Sequence, residues 1–211
     1  MRTLIAAVFE LVNNLLRESW IAPLEWIIFV LQVIFILLLM FEHIACWFFG
    51  IVASVLSIFI FLHPSVYLPA EAVLYLVYVV LGIYGWYRWQ TKGTVENNPI
   101  VKASHRNELL YFLFSVGLTL VIAAILITYT KSNVPWLDAV GTAFAFMATF
   151  TEAKKIKSCW WYWIFINFFS AGLYYYKNLE ILSIMMLFFG VLSIAGLLQW
   201  ERKYRVQQTE S

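Results

Sequence analysis

The stretch Trp160-Trp161-Tyr162-Trp163-Ile164-Phe165-Ile166-Asn167 decides how the chain is read. It opens an apolar run that continues to Tyr176 and is long enough to cross a bilayer. A helix turns about 100° per residue, so Trp160, Trp163 and Asn167, at i, i+3 and i+7, share one face. Ser170 and Tyr174 extend the same stripe. Two indoles and an amide on one intramembrane face describe a slot for a flat molecule with a polar edge. Aromatic faces also attract cations, by about 0.5–2 kcal/mol per contact depending on desolvation. A plainer alternative stands beside it. Trp near a helix end anchors the membrane interface, and one Asn can simply bridge two helices.

Outward from this stretch the composition is that of a membrane protein. Of 211 residues, 63% are hydrophobic, 19% aromatic and only 12% charged, with a mean hydropathy of +0.81. A soluble domain carries about 25% charged residues. The net charge of +2 is too small to point to nucleic acid. Cys46 and Cys159 are too few for a disulfide framework and read as inert packing. His43, His63 and His105 are scattered through predicted loops without metal-ligand spacing, so neither a metal nor another cofactor is expected. No short apolar core with a small-residue cleavage site follows Arg2, so no signal peptide is expected.

Seven crossings are predicted. Residues 1–19 are not one of them: Leu4, Val8, Leu11, Val12, Leu15 and Leu16 form one apolar stripe, which suits a helix lying in the interface. Pro23 opens the first crossing, which runs to about 40 and contains Glu25; the second covers 44–62. Pro64 disfavours helix at His63 and makes the turn there. The third crossing runs over about 69–89, the fourth over 108–130, and the fifth over a short 136–150. The sixth is the opening stretch, and the seventh covers about 179–200 before a polar tail.

This divides the chain into an interfacial helix (1–19), a three-helix bundle (20–89), a loop and linker helix (90–130), a second three-helix bundle (131–200) and a cytoplasmic tail (201–211). Lys and Arg orient it. Ten fall on the side of the 3–4 loop, the 5–6 loop and the tail; four fall on the other. The positive-inside rule then places the C-terminus in the cytoplasm and the N-terminus outside.

A shift of 113 residues lays Leu24-Glu25 on Leu137-Asp138, Cys46-Trp47 on Cys159-Trp160 and Ser57 on Ser170. With a slip of two residues, Gly85 and Trp89 fall on Gly196 and Trp200. Two copies of a three-helix unit would come out inverted, but the fourth span lies between them and restores the orientation. The expected fold is all-α, a parallel 3+1+3 repeat, with a substrate site where the halves meet, as internal repeats typify in transporters. Opposite Trp160, Trp163 and Asn167 the first half offers Trp47, Gly50 and Ser54. The expected pocket is therefore asymmetric, with bulk and hydrogen bonding mostly from span six.

The block Trp160, Trp163, Asn167, together with Ile83-Tyr84-Gly85-Trp86-Tyr87, Trp47-Phe48-Phe49-Gly50 and Glu25, resembles the PnuC-type family of bacterial vitamin transporters along most of the chain. The resemblance implies a SWEET-like fold, a homotrimer in a bacterial inner membrane, and facilitated diffusion of nicotinamide riboside trapped by a cytoplasmic kinase. It also implies that Trp160, Trp163 and Asn167 contact substrate. One departure concerns the substrate. The nicotinamide riboside branch can carry glutamine where Tyr75 stands, and Glu71, one turn earlier, is an extra acid. Thiamine, the substrate of other members, is likewise a flat aromatic cation.

Carboxylates in the bilayer cost about 2.5–3.5 kcal/mol or more and tend to face a cavity or a partner. Glu25 and Asp138 recur at one point of the repeat and read as structural hydrogen-bonders. Glu71 has no counterpart; it either attracts a cation at the entrance or is solvated. Tyr75 is a candidate for the same site or for packing. The competing functions are a sugar facilitator of similar fold and an intramembrane enzyme. Sugars want several polar partners, and Asn167 is nearly alone. An enzyme would need a His-Glu-x-x-His helix, a Gly-x-Ser-x-Gly elbow or paired aspartates, none of which the chain contains, so an enzyme is not expected.

Overall fold

The computed structural model describes residues 20–64, 66, 69–92, 98–129 and 134–210. The expected interfacial helix at 1–19 lies outside them. The described residues form seven helices: α1 (Ile21–Met40), α2 (Ala45–Leu62), α3 (Pro69–Lys92), α4 (His105–Tyr129), α5 (Pro135–Ala153), α6 (Cys159–Tyr176) and α7 (Glu180–Glu210). The chain is an all-helical, multi-pass membrane protein. Five helices, α1 to α4 and α7, are long and apolar enough to cross a membrane by length and composition. At 19 and 18 residues, α5 and α6 match the length of α2. They fall short in apolarity, because α5 carries Asp138 and Glu152 and α6 is built largely of Trp and Tyr.

At two of the helix ends that run past expectation the reason is the same. The fifth helix continues past 150 to Ala153 and so takes Glu152 into its last turn. The seventh continues through Glu210 rather than giving way to a tail after Trp200. In each case polar side chains that looked like loop find partners. Glu201 pairs with Lys157 and, one turn along its own helix, with Arg205, while Lys203 reaches Glu42.

Helix contacts arrange six of the seven in a ring. Extensive packing joins α1 to α2, α2 to α3, α3 to α5, α5 to α6, α6 to α7, and α7 back to α1; α4 packs on α5 from outside. The same packing device appears twice in the ring. A Cβ at Gly85 would overlap the Trp47 ring, and one at Gly196 would overlap the Trp160 ring. Each indole is then met edge-on by a second: Trp89 on Trp47 at 5.5 Å, and Trp200 on Trp160 at 5.6 Å. The two outer indoles donate across the molecule, Trp89 Nε1 to the Ala153 carbonyl (3.1 Å) and Trp200 Nε1 to that of Leu39 (3.2 Å). A helix leaves its last carbonyls without intrahelical partners, and here each is capped from the other half.

Glu42 and Lys155, also 113 residues apart, sit just past the ends of α1 and α5 with left-handed backbones (φ 56° and 53°). The turns match as well. His43 N–H donates to Leu38 and Ile156 N–H to Thr151, the six-to-one bond that closes a helix around a left-handed residue. The two side chains pair with each other at 2.8 Å, Lys155 4% and Glu42 2% exposed. Lys203 adds a second contact to Glu42 at 3.0 Å, and the Asn98 carbonyl accepts from Lys155 at 3.0 Å. Val101 bridges to the same turn, receiving the Lys157 N–H and donating to the Lys155 carbonyl.

Candidate functional site

The ring encloses a cavity of about 340 Å³, walled by α1, α2, α3, α5, α6 and α7. That is within the range of small-molecule sites. Trp160, Trp163, Asn167, Trp47, Ser54, Ser170, Tyr174, Tyr75 and Glu71 all line it. The spacing of α6 explains the core of this set: its i, i+3, i+7, i+10 and i+14 positions face inward, while Trp161 and Phe165 face out and are exposed.

The two indoles of the stripe differ in what they offer. Trp160 is fully buried, wedged over Gly196 and against Trp200. Its ring belongs to the scaffold as much as to the wall, so the two Trp faces do not form a free double slot. Trp163 is only partly buried, and its Nε1 donates to Glu152 Oε2 at 2.7 Å. That bond fixes the ring while leaving it on the cavity. Asn167 is held from α7: its Nδ2 donates to Ser193 Oγ (3.0 Å), whose hydroxyl donates to the Phe189 carbonyl (2.8 Å).

The first half contributes less hydrogen bonding. Ser54 Oγ turns back to the Gly50 carbonyl of its own helix at 2.8 Å. The room beside Gly50 is taken by Phe35, whose ring would lie 3.0 Å from an added Cβ. Tyr75 packs on Phe61 and Tyr78, with Gln32 and Ser57 beside its hydroxyl.

Two carboxylates stand in the wall. Glu71, in the first turn of α3, is exposed, and Asp138, in the first turn of α5, is bound to Lys177 at 2.8 Å. Glu25 is exposed and does not line the cavity. Among the described residues, no Lys or Arg lines the cavity.

Several residues in the wall, and Glu152 behind it, went unread in the sequence. Gln32 was a visible signal, an amide in the middle of an apolar span. Glu152 was hidden because Lys154 and Lys155 follow it closely and made the helix seem to end early. Thr149 and Ser193 carry no sequence signal, since small hydroxyls bonded to their own helix are common in membrane spans.

The sequence pattern of nicotinamide mononucleotide transporters matches residues 22–202. The chain belongs to that transporter family. Its fold is similar to a crystal structure described as that of the vitamin B3 transporter PnuC, with a TM-score of 0.70 over 95% of this chain and 87% of the other, at 22% identity. No curated protein sequence matches the chain. Asp138, Thr142 and Thr149 of α5 and Trp163, Asn167 and Ser170 of α6 face the cavity.

Proposed function

We propose that the protein is a facilitator that imports an aromatic cation of the vitamin class, nicotinamide riboside foremost and thiamine as the second reading. The observation that carries this is the charge of the cavity: aromatic rings, Glu71 and Asp138 in the wall, and no basic residue among the described lining. A phosphate monoester brings about −1.5 to −2 charge at neutral pH. It would meet Glu71, with no Lys or Arg among the described lining, while Asp138 is already paired with Lys177. The unphosphorylated nucleoside therefore fits better than the mononucleotide for which the family is called.

In this reading the ring of the substrate lies against Trp163, with Trp160 closing one side and Asn167 at its polar edge. The six-helix ring is two parallel three-helix units with α4 as linker, the 3+1+3 arrangement. The end tied by Glu42 and Lys155 faces the cytoplasm, and release requires that end to part. A facilitator equilibrates its substrate, so net uptake follows from phosphorylation by a cytoplasmic kinase. The homotrimer and the bacterial inner membrane come with the family resemblance. Titration calorimetry with nicotinamide riboside, thiamine and nicotinamide mononucleotide tests the proposal. The two cations should bind and the mononucleotide should not; tight binding of the mononucleotide overturns it.

A further inference from the structure

Gln32 lines the cavity from α1 and has no part in the function as proposed so far. It stands eight residues before the end of α1 at Met40, and Asn167 stands eight residues after the start of α6 at Cys159. Both helix ends lie on the side tied by Glu42 and Lys155. At 1.5 Å per residue the two amides therefore sit at one depth, about 12 Å in. The repeat does not pair them with each other. A shift of 113 residues lays Gln32 on Ala145 and Ser54 on Asn167. Each half thus brings one amide to the cavity, the first from its first helix and the second from its second.

The two amides are held in the same way. Asn167 Nδ2 donates to Ser193, whose hydroxyl donates on to the Phe189 carbonyl. Gln32 and Ser57 flank the Tyr75 hydroxyl, and the Ser57 hydroxyl donates to the Ala53 carbonyl at 2.9 Å. Ser57 is left to accept from Tyr75, and the Tyr75 oxygen to accept from Gln32. Each relay takes one N–H of its amide and ends on a helix carbonyl. An amide has two N–H donors and a carbonyl oxygen, so each keeps one N–H and its oxygen for a ligand.

We propose that Gln32 is a second binding residue, which together with Asn167 recognises a ring substituent carrying a donor and an acceptor side by side. It rests on the reading of the substrate as a flat aromatic cation. The carboxamide of nicotinamide riboside is such a group, and so is the aminopyrimidine edge of thiamine. The substituent's N–H donates to one amide oxygen, and its acceptor receives an N–H from the other amide. Trp163 lies one turn from Asn167, so a ring stacked on it presents its edge at the level of both. Tyr75 is a positioning residue, which orients Gln32 without touching the ligand.

The test is the affinity of the purified protein for nicotinamide riboside against N-ribosylpyridinium, the same cation without the carboxamide. Thiamine and its deaminated analogue form a second pair. The wild type should prefer the substituted member of at least one pair by about tenfold, and the pair that shows it names the substituent. Gln32→Leu and Gln32→Ala should weaken that member by about tenfold and leave the bare ring within about twofold. Tyr75→Phe should weaken it less, by about threefold, again sparing the bare ring. Retained binding of the bare ring shows that each variant is folded. Equal weakening of both members, or no weakening of either, overturns the inference while the cation reading stands. If the wild type binds neither nicotinamide riboside nor thiamine, the cation reading falls and takes the inference with it.

Discussion

The two halves of the ring share their packing and differ in what they show the cavity. Trp47 over Gly85 with Trp89 is matched, contact for contact, by Trp160 over Gly196 with Trp200. At the next two positions the match ends. The first half presents Gly50, with Phe35 filling the space beside it, and Ser54 bonded to its own helix. The second presents Trp163 and Asn167, each fixed by another helix. Residues that hold a repeat together answer to the same geometry in both copies and stay alike. Residues that meet a ligand answer to a molecule without two-fold symmetry, so they diverge.

The largest effect is expected where, among the described residues, the halves touch through unlike charges. Lys155→Met leaves Glu42 buried with Lys203 alone, and breaking such a pair costs about 3–5 kcal/mol. Thermal unfolding in detergent would read it as a large drop in Tm. The double variant Glu42→Lys with Lys155→Glu should recover only part, since Lys203 would then face Lys. No loss in the single variant would mean that this pair does not tie the halves, and full recovery in the double would mean that Lys203 does not share in it.

Gly85→Ala and Gly196→Ala come next, each pressing a Cβ into an indole at a cost of about 1–3 kcal/mol. The two losses should be similar. A difference of more than twofold between them would break the packing half of the comparison.

Substitutions facing the cavity should reverse the pattern, the loss of binding outweighing the loss of Tm, although Trp163→Ala also takes the partner from buried Glu152 and costs some stability. Trp163→Ala removes the accessible ring, and with it about 0.5–2 kcal/mol of cation attraction as well as stacking area. A loss of affinity of tenfold or more is expected. Asn167→Ala should cost about 0.5–1.5 kcal/mol in binding, the value of one hydrogen bond. Ser54→Ala is the smallest. Its hydroxyl is already spent on Gly50, so neither Tm nor affinity should move measurably, and a clear loss of affinity there would give the first half a direct role.

The stripe on α6 was legible because it obeys helical spacing in a helix whose other face is plainly apolar. The seven helices were legible from their apolar runs, and the matched Trp-on-Gly packing because Trp and Gly at fixed intervals are rare enough to align. Three things were not. The partners of Trp163 and Asn167 come from α5 and α7, and sequence spacing along one helix carries no information about its neighbours. The left-handed turns at Glu42 and Lys155 lack the usual Gly, so nothing local marked them. The extension of α7 to Glu210 depends on pairs with Lys157 and Glu42 that only the folded ring brings together.

The proposed function requires the cavity to take aromatic cations and turn away their phosphorylated forms. The most direct measurement is the affinity of the purified protein for nicotinamide riboside against nicotinamide mononucleotide, repeated on Trp163→Ala. The account predicts binding of the nucleoside alone, weakened tenfold or more without the indole. Equal or tighter binding of the mononucleotide would contradict it.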